Sequence, residues 1–160
     1  GHKDIAIITG SPNHYTSNGR LNGYKKAMTN AGLTITDDYI QCGDYCIDGG
    51  YEAMMRLCKL QKRPTAIFIS NYDMTIGAYL AINYLRLKIP DDISVIGFDN
   101  FPLANVVNPP LSFAEQPTNV MGTEAGKLLY RRICGDYSDY PKTIMHKPTM
   151  HYKESIRQLT

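Results

Sequence analysis

No apolar run in this chain approaches the roughly 18 residues of a membrane-spanning helix, and Gly1 to Asp4 do not open a secretory signal. Neither membrane insertion nor export is expected. An excess of positive charge is missing too: 17 basic and 15 acidic residues leave a formal net charge of +2, scattered along the chain. No electrostatic footprint for nucleic acid stands out, so DNA contact by these residues alone is not expected. Cysteine is sparse, and of Cys42, Cys46, Cys58 and Cys134 only the first two lie close together. Without a second close pair or a histidine cluster they form no zinc-type set, and they read as reduced structural thiols. His2, His14, His146 and His151 are dispersed, with no HxxxH or HExxH spacing. GxSxG, GxGxxG and GxxxxGK[ST] are all absent, and Gly43-Asp44 has no evident nucleophile or base partner. A metal site, a cofactor and catalysis are therefore not expected, while a soluble, cytoplasmic protein is.

What is present is alternation. At 160 residues, 43% hydrophobic and 20% charged, the chain is long enough for one domain with a real core. Asp4 to Thr9 is a short apolar run suited to a buried strand. After Asn18, Leu21, Tyr24, Met28 and Ala31 recur at helical spacing and stop at Gly32. Ile35 to Gln41 reads as a weaker strand, and a helix follows from about Asp48, its N-cap candidate, with Tyr51, Met54, Met55 and Cys58 as its stripe. Thr65 to Ser70 is strongly strand-like, Ala78, Ala81, Ile82 and Leu85 mark a third helix, and Ile93 to Asn100 (ISVIGFDN) is a fourth strand. Strands alternating with helices imply right-handed crossovers and a parallel sheet with helices on both faces. Phe101 to Pro110, with three prolines and two asparagines, reads as an irregular connection. A strand at Leu111 to Gln116, a helix from Pro117-Thr118, a polar turn at Gly135 to Pro141 and a last strand within Lys142 to Tyr152, broken by Pro148, complete the chain.

In a parallel sheet the carboxyl ends of the strands share one edge, and ligands of open α/β sheets bind in the crevice there. The four strands run out near Gly10 to Asn13, at Gly43-Asp44-Tyr45, at Ser70-Asn71-Tyr72-Asp73 and at Asp99-Asn100. Arg20, early in the first helix, adds a guanidinium to the same rim. Carboxylates, amides, a guanidinium and a flat ring suit a sugar or a purine. Each residue also has a plainer reading: Asn71 or Asp73 as a helix cap, Asp44 as a turn residue, Tyr45 as a packing ring, Arg20 as a solvated surface cation. Asp99 is hardest to explain that way, since a carboxylate ending a buried strand is costly unless something pairs with it.

ISVIGFDN followed by a loop, a prolyl pair and LSFAEQP, with GRLNGYKKAM and PTAIFISNYDM upstream and GHKDIAIITG at the start, resembles LacI/GalR-type bacterial transcriptional regulators in their effector-binding region. The resemblance spans almost the whole chain. It implies an α/β fold like that of periplasmic binding proteins, two-lobed, with a small-molecule effector, most simply a sugar or sugar derivative, held between the lobes. Carried over by position, Arg20, Tyr45, Asn71 and Asp99 match family ligand contacts, and Thr16 and Gln116 match weaker ones. The family usually has an acid directly after the position of Asn71; here Tyr72 stands there and Asp73 follows.

The resemblance further implies that residues 1–100 and 142–160 build the C-terminal lobe, 101–110 cross over, and 111–135 are a strand-helix segment of an otherwise absent N-terminal lobe. The family's helix-turn-helix head and hinge helix would lie outside these residues, so operator DNA would be met only through that missing head, by a homodimer. Two other classes share the architecture. A periplasmic sugar-binding protein would carry an export signal, and an enzyme on an α/β sheet would need the catalytic motifs that are lacking.

Overall fold

The structure is a computed structural model that describes residues 1–99 and 102–159. Strand β1 (Ile5–Thr9) is β-branched and buried on both sides: Ala6 and Ile8 join one apolar cluster and Ile7 the other, as alternation along a strand requires. Helix α1 (Tyr15–Asn30) begins earlier than its apolar stripe suggests, because extended His14 serves as its N-cap residue. It ends as expected, with Gly32 at φ +66, a left-handed conformation that glycine takes without a Cβ penalty. The anticipated strand at Ile35 to Gln41 is shorter. Asp37–Tyr39 form a 3-10 turn that buries Tyr39 and lets its hydroxyl donate to the Lys62 carbonyl at 3.1 Å, so only β2 (Ile40–Cys42) pairs. Helix α2 (Ile47–Lys59) is capped by Cys46, whose Sγ accepts from the Gly49 N–H at 3.3 Å, not by Asp48. Asp48 instead lies in the first turn, where its charge favours the helix dipole.

Strand β3 (Ala66–Ile69), helix α3 (Tyr72–Tyr84) and strand β4 (Ser94–Phe98) follow, then a single turn α4 (Leu103–Val106), strand β5 (Ser112–Glu115), helix α5 (Thr118–Ile133) and strand β6 (Thr149–His151). One sheet runs β2-β1-β3-β4-β5-β6, parallel except for antiparallel β6 at its edge. Helices α2 and α3 cover one face through Ala53, Met54, Leu57, Met74, Ala78 and Ile82, and α1 covers the other through Tyr24 and Met28. Parallel strands are stable when both faces are buried, and this arrangement supplies that.

Ser112–Glu115, grouped from sequence with residues 111–135, is the fifth strand of this sheet, in register Ile96 to Ser112 and Phe98 to Ala114. The C-terminal stretch anchors it: buried Ser155 accepts from the Ser112 N–H at 2.7 Å and donates to the Val95 carbonyl at 2.7 Å. The last strand is confined to Thr149–His151, just after Pro148. The chain leaves the sheet at Gln116-Pro117, and α5 buries none of its residues; Leu129 is 63% and Ile133 75% exposed.

Beyond α5 a cluster of charges closes the turn. Arg131 Nε donates to Asp136 at 2.8 Å, and Asp139 receives Arg131, Arg132 and Lys142 at 2.7 to 3.0 Å. Hydrogen bonds from the Ser138 hydroxyl and N–H, then from Arg131, push the Asp136 carboxyl down to about 2. Arg132 and Lys142 hold the Asp139 carboxyl below the usual carboxylate range. A carboxylate depressed in the folded state stabilises it fully above its unfolded pKa, and that contribution is lost as pH falls through the folded value. The Ser138 amide should therefore stay protected from neutrality to about pH 4 and lose protection toward about pH 2, read by hydrogen exchange. An amide unprotected at neutral pH would contradict this.

Candidate functional site

Five parallel strands put their carboxyl ends on one edge, and the six residues singled out from sequence all lie along it. Thr16 and Arg20 are four apart and so share one face of α1. Thr16 Oγ1 is 3.1 Å from the Tyr45 hydroxyl. Asp44 (φ 50) and Tyr45 (φ 59) are both left-handed, each at a cost of order 1 kcal/mol. That turn lays the Tyr45 ring over Gly10, where a Cβ would stand 2.2 Å from a ring carbon, so glycine alone leaves room for it. The His14 ring lies 5.5 Å from it, centroid to centroid.

Arg20 bridges to the middle strands. Its Nη1 donates to the Ser70 carbonyl at the end of β3, and its guanidinium lies 3.8 Å over the Phe98 ring at the end of β4. Such a stack is worth about 0.5–2 kcal/mol, and it holds a normally mobile side chain in one place. Asn71 follows Ser70 and caps α3, its Oδ1 accepting from the Met74 N–H at 3.0 Å. The cap is thus Asn71 rather than Asp73, which lies in the first turn beside Tyr72. Asp99 follows Phe98 at φ 79, a strained conformation costing about 1–3 kcal/mol. Its N–H donates to the Ala114 carbonyl at 2.8 Å, and its Oδ1 accepts from Gln116 Nε2 at 2.6 Å. Asn100 lies outside the described residues.

Phe98, the Ser70 carbonyl and Gly10 were not singled out from sequence. Phe98 was legible in principle, since alternation puts it with Ile96 on the α1 face of β4, within reach of a cation in the first turns of that helix. A backbone carbonyl has no sequence signal. The arrangement offers a pinned guanidinium, a carboxylate with one oxygen bonded to Gln116, an amide and a half-buried tyrosine ring, which together can hold a small polyhydroxylated or polar heterocyclic molecule. A cavity of about 350 Å³ at the opposite edge, lined by Cys58, Arg63, Leu87 and Ile93, contains none of these residues. Among the described residues no group of three or more His, Cys, Asp and Glu could hold a metal ion, and no helix is long and apolar enough to cross a membrane.

A periplasmic binding protein-like domain matches residues 1–156. The chain is 40% identical over 159 residues to the HTH-type transcriptional repressor PurR of Histophilus somni, covering 99% of this chain and 47% of that protein. It is 41% identical over 133 residues to the ribose operon repressor of Escherichia coli, covering 83% of this chain and 40% of that protein. The chain thus spans less than half the length of these relatives. Among solved structures, a sugar-binding transcriptional regulator of the LacI family from Escherichia coli, complexed with phosphate, superposes with a TM-score of 0.84 at 32% identity, over 98% of this chain and 55% of its own.

Proposed function

Since the chain belongs to the periplasmic binding protein-like domain family, in the form that serves LacI-type repressors as their effector-binding region, we propose that its carboxyl edge senses a sugar or sugar derivative. The observation that carries this is the Arg20 guanidinium, fixed between the Ser70 carbonyl and the Phe98 ring, with the Asp99 carboxylate on the next residue. A cation and an anion held rigidly on adjacent strand ends match vicinal hydroxyls, which both donate and accept. Tyr45, Asn71 and Thr16 complete the ring of contacts. The repressors it is similar to favour a sensing role for this edge over a catalytic one.

In the whole protein this chain supplies the second lobe, and α5 with its bare apolar residues packs on a first lobe. Effector binding between the lobes shifts the population of lobe arrangements and so the operator affinity of DNA-binding heads carried by a cytoplasmic homodimer. Titration calorimetry of the full-length protein with D-ribose, the sugar named in the Escherichia coli relative, tests the reading. Saturable binding that is lost in Arg20→Ala supports it. Saturable binding of a purine base in place of the sugar counts against a sugar effector.

The stack predicts a graded effect as well. Phe98→Ala removes the platform but not the cation, so sugar affinity should fall about tenfold, with the fold retained, since one such contact is worth about 0.5–2 kcal/mol. Unchanged affinity would mean that Arg20 needs no platform. The α5 assignment has its own measurement: a hydrophobic dye should light up on residues 1–160 alone and much less on the full-length protein, because apolar patches this size are rarely left bare.

A further inference from the structure

The hydrogen bond from Gln116 to Asp99 ties the candidate ligand edge to the root of α5. Asp99 stands in a left-handed conformation, and two bonds restrain it: its N–H to the Ala114 carbonyl at 2.8 Å, and its Oδ1 to Gln116 Nε2 at 2.6 Å. Ala114 lies within β5, and Gln116 is the first residue after it on the way to α5. Gln116 is followed at once by Pro117, the residue that precedes the first turn of α5. The junction is not packed solid, because a cavity of about 290 Å³ opens there between Gln116, Pro117, Val120 and Thr149. Helix α5 has no buried residue to fix its direction from the sheet. The polar contact at its root is accordingly a restraint that bulk packing does not duplicate.

We propose that Gln116 is a positioning residue: it aims the Asp99 carboxylate at the effector and passes any change in that carboxylate's hydrogen bonding to α5. The proposal rests on the sensing role of this edge. With Oδ1 occupied by the Gln116 amide, Oδ2 is left to accept from an effector hydroxyl, and the carboxylate is shared between ligand and helix root. An effector that prefers this orientation of Asp99 thereby favours the α5 direction in which Gln116 stays bonded.

The test uses D-ribose titrations of the full-length protein at about pH 5, 6.5 and 8 in wild type, Gln116→Ala and Gln116→Glu. Gln116→Ala should bind about tenfold more weakly at every pH, as expected for one charge-assisted hydrogen bond. Gln116→Glu should bind nearly as wild type at about pH 5, where a proton shared by the two carboxyl groups replaces the amide proton, and at least about tenfold more weakly at about pH 8, where both ionise. A merely structural role would not produce that pH profile. Wild-type affinity in both variants at all three pH values would overturn the proposal. A second measurement needs no ligand: the Asp99 N–H should exchange about tenfold faster in Gln116→Ala than in wild type, with the amides of α2 and α3 unchanged. If wild type binds no sugar, the sensing role fails by itself, and unchanged Asp99 exchange would then overturn the positioning role.

Discussion

Gly77→Ala should destabilise the protein by about 3 kcal/mol or more, far beyond the usual effect of adding one methyl group to a helix. Gly77 lies in α3 where it crosses α2, and a Cβ there would stand 1.9 Å from the Ile47 carbonyl oxygen and 2.6 Å from the Tyr51 nitrogen. These are backbone atoms of a neighbouring helix, so no side chain can swing aside. The two helices would have to separate, opening the cluster that holds Met54, Leu57, Met74 and Ala78. At about 2–4 °C per kcal/mol for a chain of this size, the melting temperature should drop by roughly 6–12 °C. Gly23→Ala is the control, since nothing lies within 4 Å of a Cβ at that position of α1. It should stabilise by about 0.5–1 kcal/mol through helix propensity. Thermal denaturation of both variants gives the comparison, and a Gly77→Ala protein as stable as wild type would show that α2 and α3 are not in this contact.

Why some elements were legible and others not follows from the range of the forces involved. The runs at Ile5–Thr9, Ala66–Ile69 and Ser94–Phe98 are apolar enough to fix strands by local pattern alone, and the helices between them carry their own stripes. Strand β2 is weaker because Tyr39 gains more from burial and its bond to Lys62 than from extending the ladder. The pattern points to Asp48 as the cap of α2 because an aspartate commonly takes that role, whereas a cysteine sulfur, which caps it here, rarely does. Strand order is a long-range property. That β5 lies beside β4, and so brings Gln116 to Asp99, depends on pairing and on Ser155 from the far end of the chain. Periodicity could place Arg20, Tyr45, Asn71 and Asp99 at one edge, because parallel strands share their ends. It could not show that Phe98 and the Ser70 carbonyl pin the arginine, or how α5 is directed, because those depend on which side chains meet across elements.

Asp99→Asn should weaken effector binding by about ten- to a hundredfold while leaving the fold intact. The two residues have the same shape, and both tolerate the left-handed conformation better than most, so φ 79 is preserved without added strain. What changes is the acceptor set. Asparagine offers one oxygen where aspartate offers two, and the amide nitrogen that replaces the other can only donate. If the oxygen keeps its bond to Gln116, the effector hydroxyl must turn to accept from an N–H; if it faces the effector, the Gln116 amide must turn to present its oxygen instead. Either way the bond to the effector loses its charge assistance, falling from about 1.5–3 to about 0.5–1.5 kcal/mol in a turned geometry, which accounts for a loss of about one to two decades in affinity. Asp99→Ala should lose binding to a similar degree but also some stability, since alanine is less at ease at positive φ. In the full-length protein the expected phenotype is a regulator that still binds its operator yet ignores the effector, read by operator-binding assays with and without D-ribose. A normal effector response in Asp99→Asn would remove the carboxylate from the site and leave its strained backbone as a purely structural corner of the sheet.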